Sequence, residues 1–362
     1  MQDSERNNQD SLTTLRGAQM AADHSTPDFT ALADLASARL GGRAAAANDD
    51  FFAPRANLLK PEPPVFIPGK FTARGKWMDG WESRRRRTPG HDWCVVRLGL
   101  PGIVRGVDVD TSFFTGNYPS HCSIEALAAS RAVTPALAAQ EGAPWTLLLP
   151  RVPLTGNSHN YFPIPAAAQA AAQPWTHLRL NIFPDGGVAR LRAYGDVVVD
   201  WSASRRAKAL HDLASIASGG LVLGASDMHF GAKDNMIMPG RAKNMGDGWE
   251  TRRRRGPGHD WAIVRLGAAG VISRIEIDTN HFKGNYPDSA SIEACLAPGA
   301  TLDELRGASW VELLPQTKLR AHHRHFFARE LQKTGPASHV RLNIFPDGGV
   351  SRLRVHGILA TP

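Results

Sequence analysis

Two strings of polar residues occur twice in this chain, and this duplication limits its possible folds more than any other feature. The string DGWESRRRRTPGHDW at residues 79–93 returns at 247–261 with thirteen of its fifteen residues unchanged. The string RLNIFPDGGVARLR at 179–192 returns at 341–354 with one change. Many combinations of apolar residues can fill a core, whereas these polar strings are not generic core sequences. The chain is therefore predicted to consist of two tandem copies of one domain.

The repeats divide the 362 residues into three segments. Residues 1–26 are polar and are predicted to form a disordered tail. Residues 27–202 hold the first repeat and residues 203–362 the second, and each repeat is long enough to bury a core of its own. The first repeat carries about ten additional residues near EPPVFIPGKF. Insertions of this kind are typical of loops.

Short β-branched segments separated by turn residues run through both repeats. HDWCVVRLG at 91–99 and VRGVDVDT at 104–111 are each predicted to form a strand, and further strands are expected around SIEA, WTLLLP and HLRLNIF. FPDGG is typical of a tight turn in which glycine supplies a positive φ. Apolar residues at helical spacing predict a short helix at the start of each repeat, over 28–40 and 207–218. The predicted fold class is all-β, with two tandem jelly-roll β-sandwich domains that each have a short leading helix.

Composition narrows the classes of partner and compartment. The net charge of +8 and the pI of about 9.7 favour anionic partners. Eight of the 42 basic residues lie in the two RRRR runs, so nucleic-acid binding through these runs is one alternative. Three cysteines, Cys94, Cys122 and Cys295, argue against a disulfide framework and for a reducing compartment, the cytoplasm. No apolar segment approaches the ~20 residues of a membrane helix, so no membrane association is expected.

The GHDW string and the glutamate before the arginine run supply candidates for acid–base chemistry. An imidazole and carboxylates together can donate and accept protons near neutral pH. They flank a Pro-Gly turn just before a strand, where a rigid scaffold can position a site. In the alternative role, the carboxylates pair with the adjacent arginines and the histidine binds a loop carbonyl. The candidate catalytic residues are Glu82, His91 and Asp92 in the first repeat and Glu250, His259 and Asp260 in the second.

Arginines and a loop amide are the candidates for substrate binding. One or two arginines of each run can bind a carboxylate in bidentate geometry. The other arginines are expected to pair with the acidic strand residues Asp108, Asp110, Glu276 and Asp278. The asparagine of the GNYP loop offers a donor and an acceptor for an amide-like group, although an Asx turn is its alternative role. The candidate substrate-binding residues are Arg84, Arg86, Asn117, Tyr118, Arg252, Arg254, Asn285 and Tyr286.

Two further sets of polar residues are assigned structural roles. Asn181 and Asn343 lie between apolar strand residues and are predicted to be satisfied inside the sheet edge. His322, His323 and His325 are predicted to be surface residues, because the first repeat has only a single histidine nearby. No metal site is therefore predicted and no cofactor is expected, although the sequence leaves a divalent metal ion open.

Three strings of the first repeat, FIPGKFTARGKWMDGWESRRRRTPGHDW, VDVDTSFFTGNYP and RLNIFPDGGVARLR, resemble the allantoicase family. The resemblance runs from about residue 28 to the C-terminus and includes the internal duplication. It implies a pair of jelly-roll domains with the galactose-binding-like fold. It also implies an amidinohydrolase that hydrolyses allantoate to ureidoglycolate and urea in purine (allantoin) degradation. We further expect this chain to be a homo-oligomer that binds no nucleic acid.

Allantoate bears a carboxylate and two ureido groups on one carbon, and the candidate residues match these groups. The arginines would anchor the carboxylate and the loop asparagines would bind a ureido group. The hypothesis is that the histidine or the glutamate of each candidate set protonates the departing urea, while the aspartate orients or deprotonates water. The site could lie in one repeat, in both, or between them. The alternative function is a carbohydrate- or anion-binding module without catalysis, in which Trp81, Trp93, Trp249 and Trp261 stack on a sugar.

Overall fold

The computed structural model describes residues 26–129, 133–140, 143–170 and 173–360. The predicted disordered tail lies outside the described residues, apart from its last position. The strands of the first repeat are β1 (Ala33–Asp34), β2 (Arg43–Ala47), β3 (Phe71–Thr72), β4 (Gly75–Lys76), β5 (Trp81–Glu82), β6 (Asp92–Asp110), β7 (His121–Leu127), β8 (Thr146–Pro153), β9 (Tyr161–Pro163), β10 (Trp175–Phe183), β11 (Gly187–Val188) and β12 (Arg190–Val197).

The second repeat reproduces this order of strands without an equivalent of the β3–β4 hairpin, which forms in the region of the insertion. Its strands are β13 (Leu210–Asp212), β14 (Leu221–Ala225), β15 (Trp249–Glu250), β16 (Asp260–Asp278), β17 (Ser289–Cys295), β18 (Val311–Lys318), β19 (Arg324–Phe327), β20 (Pro336–Phe345), β21 (Gly349–Val350) and β22 (Arg352–Leu359). The described α-helices are Pro135–Ala139, Ala166–Ala170, Ser202–Ala207 and Leu302–Arg306. The described 3₁₀ turns are Asp28–Ala31, Ala38–Leu40, Arg55–Leu59, Ile216–Ser218, Lys233–Ile237 and Met245–Asp247.

Each repeat builds one antiparallel eight-stranded sheet that folds into two layers. In the first repeat the order is β1–β12–β6–β10–β7–β8, with β2 and β9 also paired to β6. In the second repeat the order is β13–β22–β16–β20–β17–β18, with β14 and β19 also paired to β16. The prediction of an all-β chain with two tandem sandwich domains is confirmed.

The long strand of each repeat belongs to both layers. In β6, residues 92–97 pair with β10 and β2, whereas residues 102–110 pair mainly with β12 and β9. The sequence predicted two separate strands here, but a single strand runs through Pro101, and its register with β10 shifts between Arg97 and Gly102. Because β6 changes partners along its length, it bends from one layer into the other, and the apolar residues of both halves enclose one core.

Fully buried tryptophans and a core shared by both repeats complete the packing. Trp81 and Trp249 are fully buried, and their indole N–H groups donate to the carbonyls of Asp49 and Asp227, both at 2.8 Å. One cluster of buried apolar side chains contains residues of both repeats. The two sandwiches therefore pack against each other through apolar contacts.

The predicted leading helices are wrong in detail. Residues 28–40 form two 3₁₀ turns on either side of the short strand β1. The carboxylate of Asp34 accepts the backbone N–H groups of Ala36 and Ala193, both at 3.1 Å, so this backbone is tied to β12 and is not free to form a helix. In the second repeat the helix Ser202–Ala207 ends where the predicted one begins, and β13 and a 3₁₀ turn follow.

The FPDGG turns have the geometry that the sequence predicts, with one addition. Gly186 and Gly348 adopt positive φ values of 139° and 134°. The Phe183–Pro184 and Phe345–Pro346 peptide bonds are cis. A Cβ atom at Gly186 would lie 2.7 Å from the carbonyl oxygen of Asn117, so only glycine permits this turn to contact the GNYP loop.

The helices that the structure describes include none with the length and apolar character required to cross a membrane.

A buried histidine on β20 is expected to make stability depend on pH. His339 has no exposed surface, and burial lowers its pKa to about 4. In the unfolded chain His339 takes up a proton near pH 6.5, whereas in the folded protein it does so only near pH 4. The free energy of unfolding therefore falls as the pH drops through this window. The loss is on the order of 3 kcal/mol. Denaturant unfolding at pH 7 and pH 4.5 should show a smaller difference for His339→Gln than for the unmodified chain, and an equal difference would contradict the prediction.

Candidate active site

The predicted residues Glu82 and Asn117 lie together in a cavity near the loops. The amide nitrogen of Asn117 donates to Glu82 Oε1 at 2.7 Å, and both residues line a cavity of about 400 Å³ with Lys76. Burial raises the pKa of the Glu82 carboxyl, although Asn117 and Lys76 oppose the shift. In the second repeat Asn285 donates to Glu250 in the same way. The structure thus brings together the predicted glutamate and asparagine of each repeat.

The predicted aspartates are buried inside ion pairs. Asp92 is 2% exposed, and its Oδ1 accepts Arg86 Nη1 and Asn48 Nδ2, both at 2.8 Å. Asp260 is equally buried and is paired with Arg254. Each carboxylate therefore faces an arginine, and Asp260 also borders a cavity lined by residues 252–254. These contacts match the alternative role, pairing with the adjacent arginines, and a role of the aspartates in activating water stays a prediction.

Apart from Asp92 and Asp260, the acids that contact the arginine runs are not those named in the sequence-based prediction. Arg84 Nε donates to Asp49 Oδ2 at 2.7 Å, and the backbone N–H of Arg86 donates to Asp185 of the FPDGG turn at 2.8 Å. In the second repeat the backbone N–H of Arg254 donates to Asp347 at 2.8 Å. Each arginine run lies against the FPDGG turn of its repeat, and the aspartate of that turn accepts a backbone N–H of the run.

The acids predicted as partners of the arginine runs bind elsewhere. Asp108 pairs with His159 at 2.7 Å, and Glu276 pairs with Arg241 and Arg324. The second-repeat run remains partly open, because residues 252–254 line a cavity of about 290 Å³ with Asp227 and Asp260. A further contact joins Arg252 to His229 at 3.0 Å.

The two tyrosines of the GNYP loops are half-buried. The ring of Tyr118 packs against the apolar core and lies so close to Gly156 that a Cβ atom there would be 2.4 Å from it. Tyr118 therefore supports the loop. Its equivalent, Tyr286, is flanked by the FPDGG turn at Gly348.

His91 belongs to a different network, on the outer face of the sheet. Along β10 the side chains of Leu180 and Ile182 enter the core, so Arg179 and Asn181 project from the opposite face. The cross-strand partner of Asn181 on β7 is Ser123 and its partner on β6 is Trp93. Cross-strand neighbours on one face lie within contact distance. We name this group the sheet-face cluster: His91, Trp93, Ser123, Glu125, Arg179 and Asn181 in the first repeat, and His259, Trp261, Ser291, Glu293, Arg341 and Asn343 in the second.

A carboxylate forms the centre of each sheet-face cluster. Glu125 Oε2 accepts Arg179 Nε at 2.7 Å and Asn181 Nδ2 at 2.8 Å. Glu293 accepts Arg341 Nε at 2.6 Å and Asn343 Nδ2 at 2.8 Å. Burial pushes the pKa of each carboxyl upward, but these hydrogen bonds outweigh it and hold the pKa below its usual value. Both carboxylates therefore stay ionised near neutral pH.

The imidazole of each cluster packs on an aromatic ring. The ring of His91 lies 4.8 Å from that of Phe183, and the ring of His259 lies 4.7 Å from that of Phe345. Burial lowers the pKa of His91, and the nearby Arg179 adds to this shift, while Asn181 and Glu125 oppose it. His91 is therefore neutral at pH 7 and is able to accept a proton.

An amide oxygen in each cluster lacks a hydrogen bond. Asn181 and Asn343 are 4% and 5% exposed, and among the described residues their Oδ1 atoms accept no hydrogen bond of ordinary geometry. A buried acceptor without a partner costs about 1–3 kcal/mol. The prediction of a sheet edge is wrong, because β10 and β20 are central strands; the Nδ2 groups are satisfied as predicted, but the Oδ1 atoms have no partner in the described part of the chain. In the second repeat Asn343, His259 and Arg341 line a cavity of about 420 Å³.

Sequence reasoning missed several members of this cluster. Serine and glutamate of the SIEA string and arginine of the RLNIF string are ordinary strand residues when read alone. The available signal was their repetition at alternate positions, which places them on one face once the strands are paired. Only the register between β7 and β10 shows that Arg179 lies opposite Glu125 and that Asn181 lies opposite Ser123.

Two of the three histidines predicted at the surface accept backbone N–H groups, and the prediction is wrong for one of them, His325, which is buried. His322 Nδ1 accepts the N–H of His281 at 2.8 Å, and His325 Nε2 accepts the N–H of Arg320 at 2.8 Å. Within the described ranges, no three His, Cys, Asp or Glu side chains are grouped so that they could hold a metal ion. The expectation that no metal is needed stays a prediction.

Comparison with known proteins identifies the family. The Allantoicase repeat family model matches residues 33–198 and 211–360. A protein of Burkholderia mallei named "Probable allantoicase 1" is 53% identical over 93% of this chain and 98% of its own length. One of Ralstonia nicotianae named "Probable allantoicase" is 49% identical, over 94% and 99%. The crystal structure of allantoicase from Saccharomyces cerevisiae superposes with a TM-score of 0.75 at 34% identity, covering 90% of this chain and 92% of the yeast chain. The chain belongs to the allantoicase family.

Proposed function

We propose that the allantoicase reaction of this chain, the hydrolysis of allantoate to ureidoglycolate and urea, takes place at the sheet-face cluster. The activity itself follows from the family and from relatives about half identical over nearly the whole chain. One observation carries the choice of site. The same imidazole, carboxylate, guanidinium, hydroxyl and amide converge in both repeats, on a sheet face whose packing does not require them.

The groups of the cluster match those of the substrate. A guanidinium, Arg341 in the second repeat, suits the carboxylate of allantoate. The unpaired Oδ1 of Asn343 is an acceptor for a ureido N–H, and filling it would remove the cost of a buried unsatisfied oxygen. Ser291, the cross-strand partner of Asn343, adds a hydroxyl that can donate or accept. Recognition would therefore use a cation at one end of the ligand and amide-type hydrogen bonds at the other.

The imidazole is the group suited to move the proton. As the oxygen of water bonds to the central carbon of allantoate, the C–N bond to one ureido group breaks. Neutral imidazole accepts a proton from the attacking water and passes it to the departing nitrogen, so urea leaves neutral and the hydroxyl remains on ureidoglycolate. The ionised carboxylate beside the ring, Glu125 or Glu293, stabilises the imidazolium between these two transfers.

The remaining predicted residues act around this site or outside it. Asp92 and Asp260 directly follow the histidines in sequence, and each forms an ion pair with an arginine. Glu82 lines a loop cavity with Asn117, Glu250 bonds to Asn285 in the equivalent loop, and neither glutamate takes part in proton transfer. The histidine, and not the aspartate beside it, is thus the group that activates water.

The non-catalytic alternative finds little support. Trp81 and Trp249 have no exposed surface and cannot stack on a sugar ring. Trp93 and Trp261 are half-buried within the cluster. The pairing of Arg84 and Arg86 with aspartates also weakens the case for nucleic-acid binding through the arginine runs. Cytoplasmic location and homo-oligomeric assembly remain predictions, supported for the location by three free, buried cysteines.

The role of the imidazoles is tested by replacing His91 and His259 with asparagine, singly and together. The double variant should lose about 10²–10⁴-fold in kcat for urea release from allantoate, because it lacks the proton carrier in both clusters. Circular dichroism and thermal unfolding verify that the fold is retained.

The matched comparison is the double variant Glu82→Gln with Glu250→Gln, which alters the glutamate–asparagine pairs of the loops and leaves the sheet-face clusters intact. If this variant loses activity while the histidine double variant keeps it, the reaction belongs to the glutamate–asparagine pairs of the loops and the proposed site is wrong.

The aspartates provide a second test that separates structure from catalysis. Asp260→Asn removes the negative partner of Arg254 with little change of shape, so the free energy of unfolding should fall by about 1–3 kcal/mol. The kcat of the folded variant should change far less than in the histidine variants. A large loss of kcat at unchanged stability would instead restore Asp260 as a catalytic residue.

A further inference from the structure

The two sheet-face clusters differ in how their arginine is engaged. In the first repeat Arg179 donates from Nε to Glu125 and from Nη1 to the carbonyl oxygen of Ala138, both at 2.7 Å. In the second repeat Arg341 donates from Nε to Glu293 at 2.6 Å. Within the described part of the chain, its two terminal amino groups donate no hydrogen bond. Arg341 therefore keeps free the two groups that bind a carboxylate in bidentate geometry.

A tryptophan explains this difference. A short helix covers the outer face in each repeat, and Ala138 and Leu305 are the fourth residues of these helices. In the second repeat Trp310 Nε1 donates to the carbonyl oxygen of Leu305 at 2.9 Å. In the first repeat the equivalent Trp145 Nε1 is buried and has no partner among the described residues, and Arg179 takes the carbonyl instead. Both arginines stack on their tryptophan at 4.9 Å, so the carbonyl contact is what differs.

A second difference lies on the neighbouring strand. The residue paired with Glu125 is the exposed Leu147, whereas the residue paired with Glu293 is Glu312. Glu312 lines the cavity of about 420 Å³ and accepts a hydrogen bond from Gln332 Nε2 at 2.7 Å. Its carboxylate adds an acceptor for ureido N–H groups at the edge of the second cluster, and leucine adds none.

We propose that the second-repeat cluster is the one that binds and hydrolyses allantoate, with Arg341 as the anchor of the substrate carboxylate. This inference rests on the proposed function, because it distinguishes between two copies of the same site. The first-repeat cluster, whose arginine is held by the Ala138 carbonyl, binds the substrate more weakly and serves mainly to join its strands.

Substitution of the two tryptophans tests the inference without altering any polar residue of the clusters. Trp310→Phe keeps a stacking ring but frees the Leu305 carbonyl, which Arg341 then engages as Arg179 does in the first repeat. The KM for allantoate should rise about tenfold or more, since charge-assisted hydrogen bonds to the carboxylate are weakened. Trp145→Phe is the matched control, and it removes an N–H that bonds nothing in the described structure, so KM and kcat should stay unchanged.

A second pair of variants checks the arginines directly. Lysine keeps the charge but loses the planar pair of donors, so Arg341→Lys should lower kcat/KM by more than tenfold and Arg179→Lys by much less. Thermal unfolding of both variants controls for stability.

The outcomes distinguish the two proposals. Equal losses in the two arginine variants, or a larger loss in Arg179→Lys, would overturn the second-repeat assignment while the sheet-face site stands. Unchanged kinetics in Trp310→Phe together with unchanged kinetics in Arg341→Lys would also overturn it. Full activity of the double histidine variant would overturn the sheet-face site itself.

Discussion

The long central strand of each repeat is the constraint on which the rest of the structure depends. Strands β6 and β16 are each nineteen residues long and supply both layers of their sandwich. Side chains alternate along a strand, so a slip of one residue would turn Trp93 into the core and Cys94 out of it. The buried pair between Asp92 and Arg86 fixes the first residue of β6 against the arginine run. The repeated RRRR and GHDW residues thus set the register that brings His91 beside Asn181.

The sheet-face cluster contains polar and charged side chains that the packing of the sandwich does not require. A solvent-facing strand accommodates charged residues at little cost, but Asn343 is nearly fully buried, and no group among the residues that the structure describes bonds its carbonyl oxygen. Such an oxygen is destabilising in the free protein, and ligand binding at that point would compensate it. The same burial keeps the neighbouring carboxylate and guanidinium in a less polar environment, where their interactions with a bound anion are stronger than in water.

The fold was largely predictable from the sequence, and the site only in part. Alternation and turn residues predict the strands, and the duplication predicts two sandwiches, because both signals are local. The leading helix failed because Asp34 binds the backbone of β12, a partner more than 150 residues away. The unusual repeated strings contain both His91 and Asn117, but these two residues belong to different networks. His91 belongs to the sheet-face cluster, and Asn117 bonds to Glu82 in the loops. Glu125 and Arg179 were not predicted as site residues, because they become neighbours only through the pairing of two strands, and no single segment of sequence shows that pairing.

Retention of the cluster in both repeats does not require two active sites. In the first repeat Glu125, Arg179 and Asn181 connect β7 to β10, and Arg179 also holds the covering helix through Ala138. These contacts stabilise a sandwich whose core continues into the second repeat. The polar residues of the first copy are therefore held by packing even where binding does not use them. The equivalent carbonyl groups of the two covering helices bond to an arginine in the first repeat and to a tryptophan in the second. This one difference is sufficient to give the first cluster a structural role and the second a binding role.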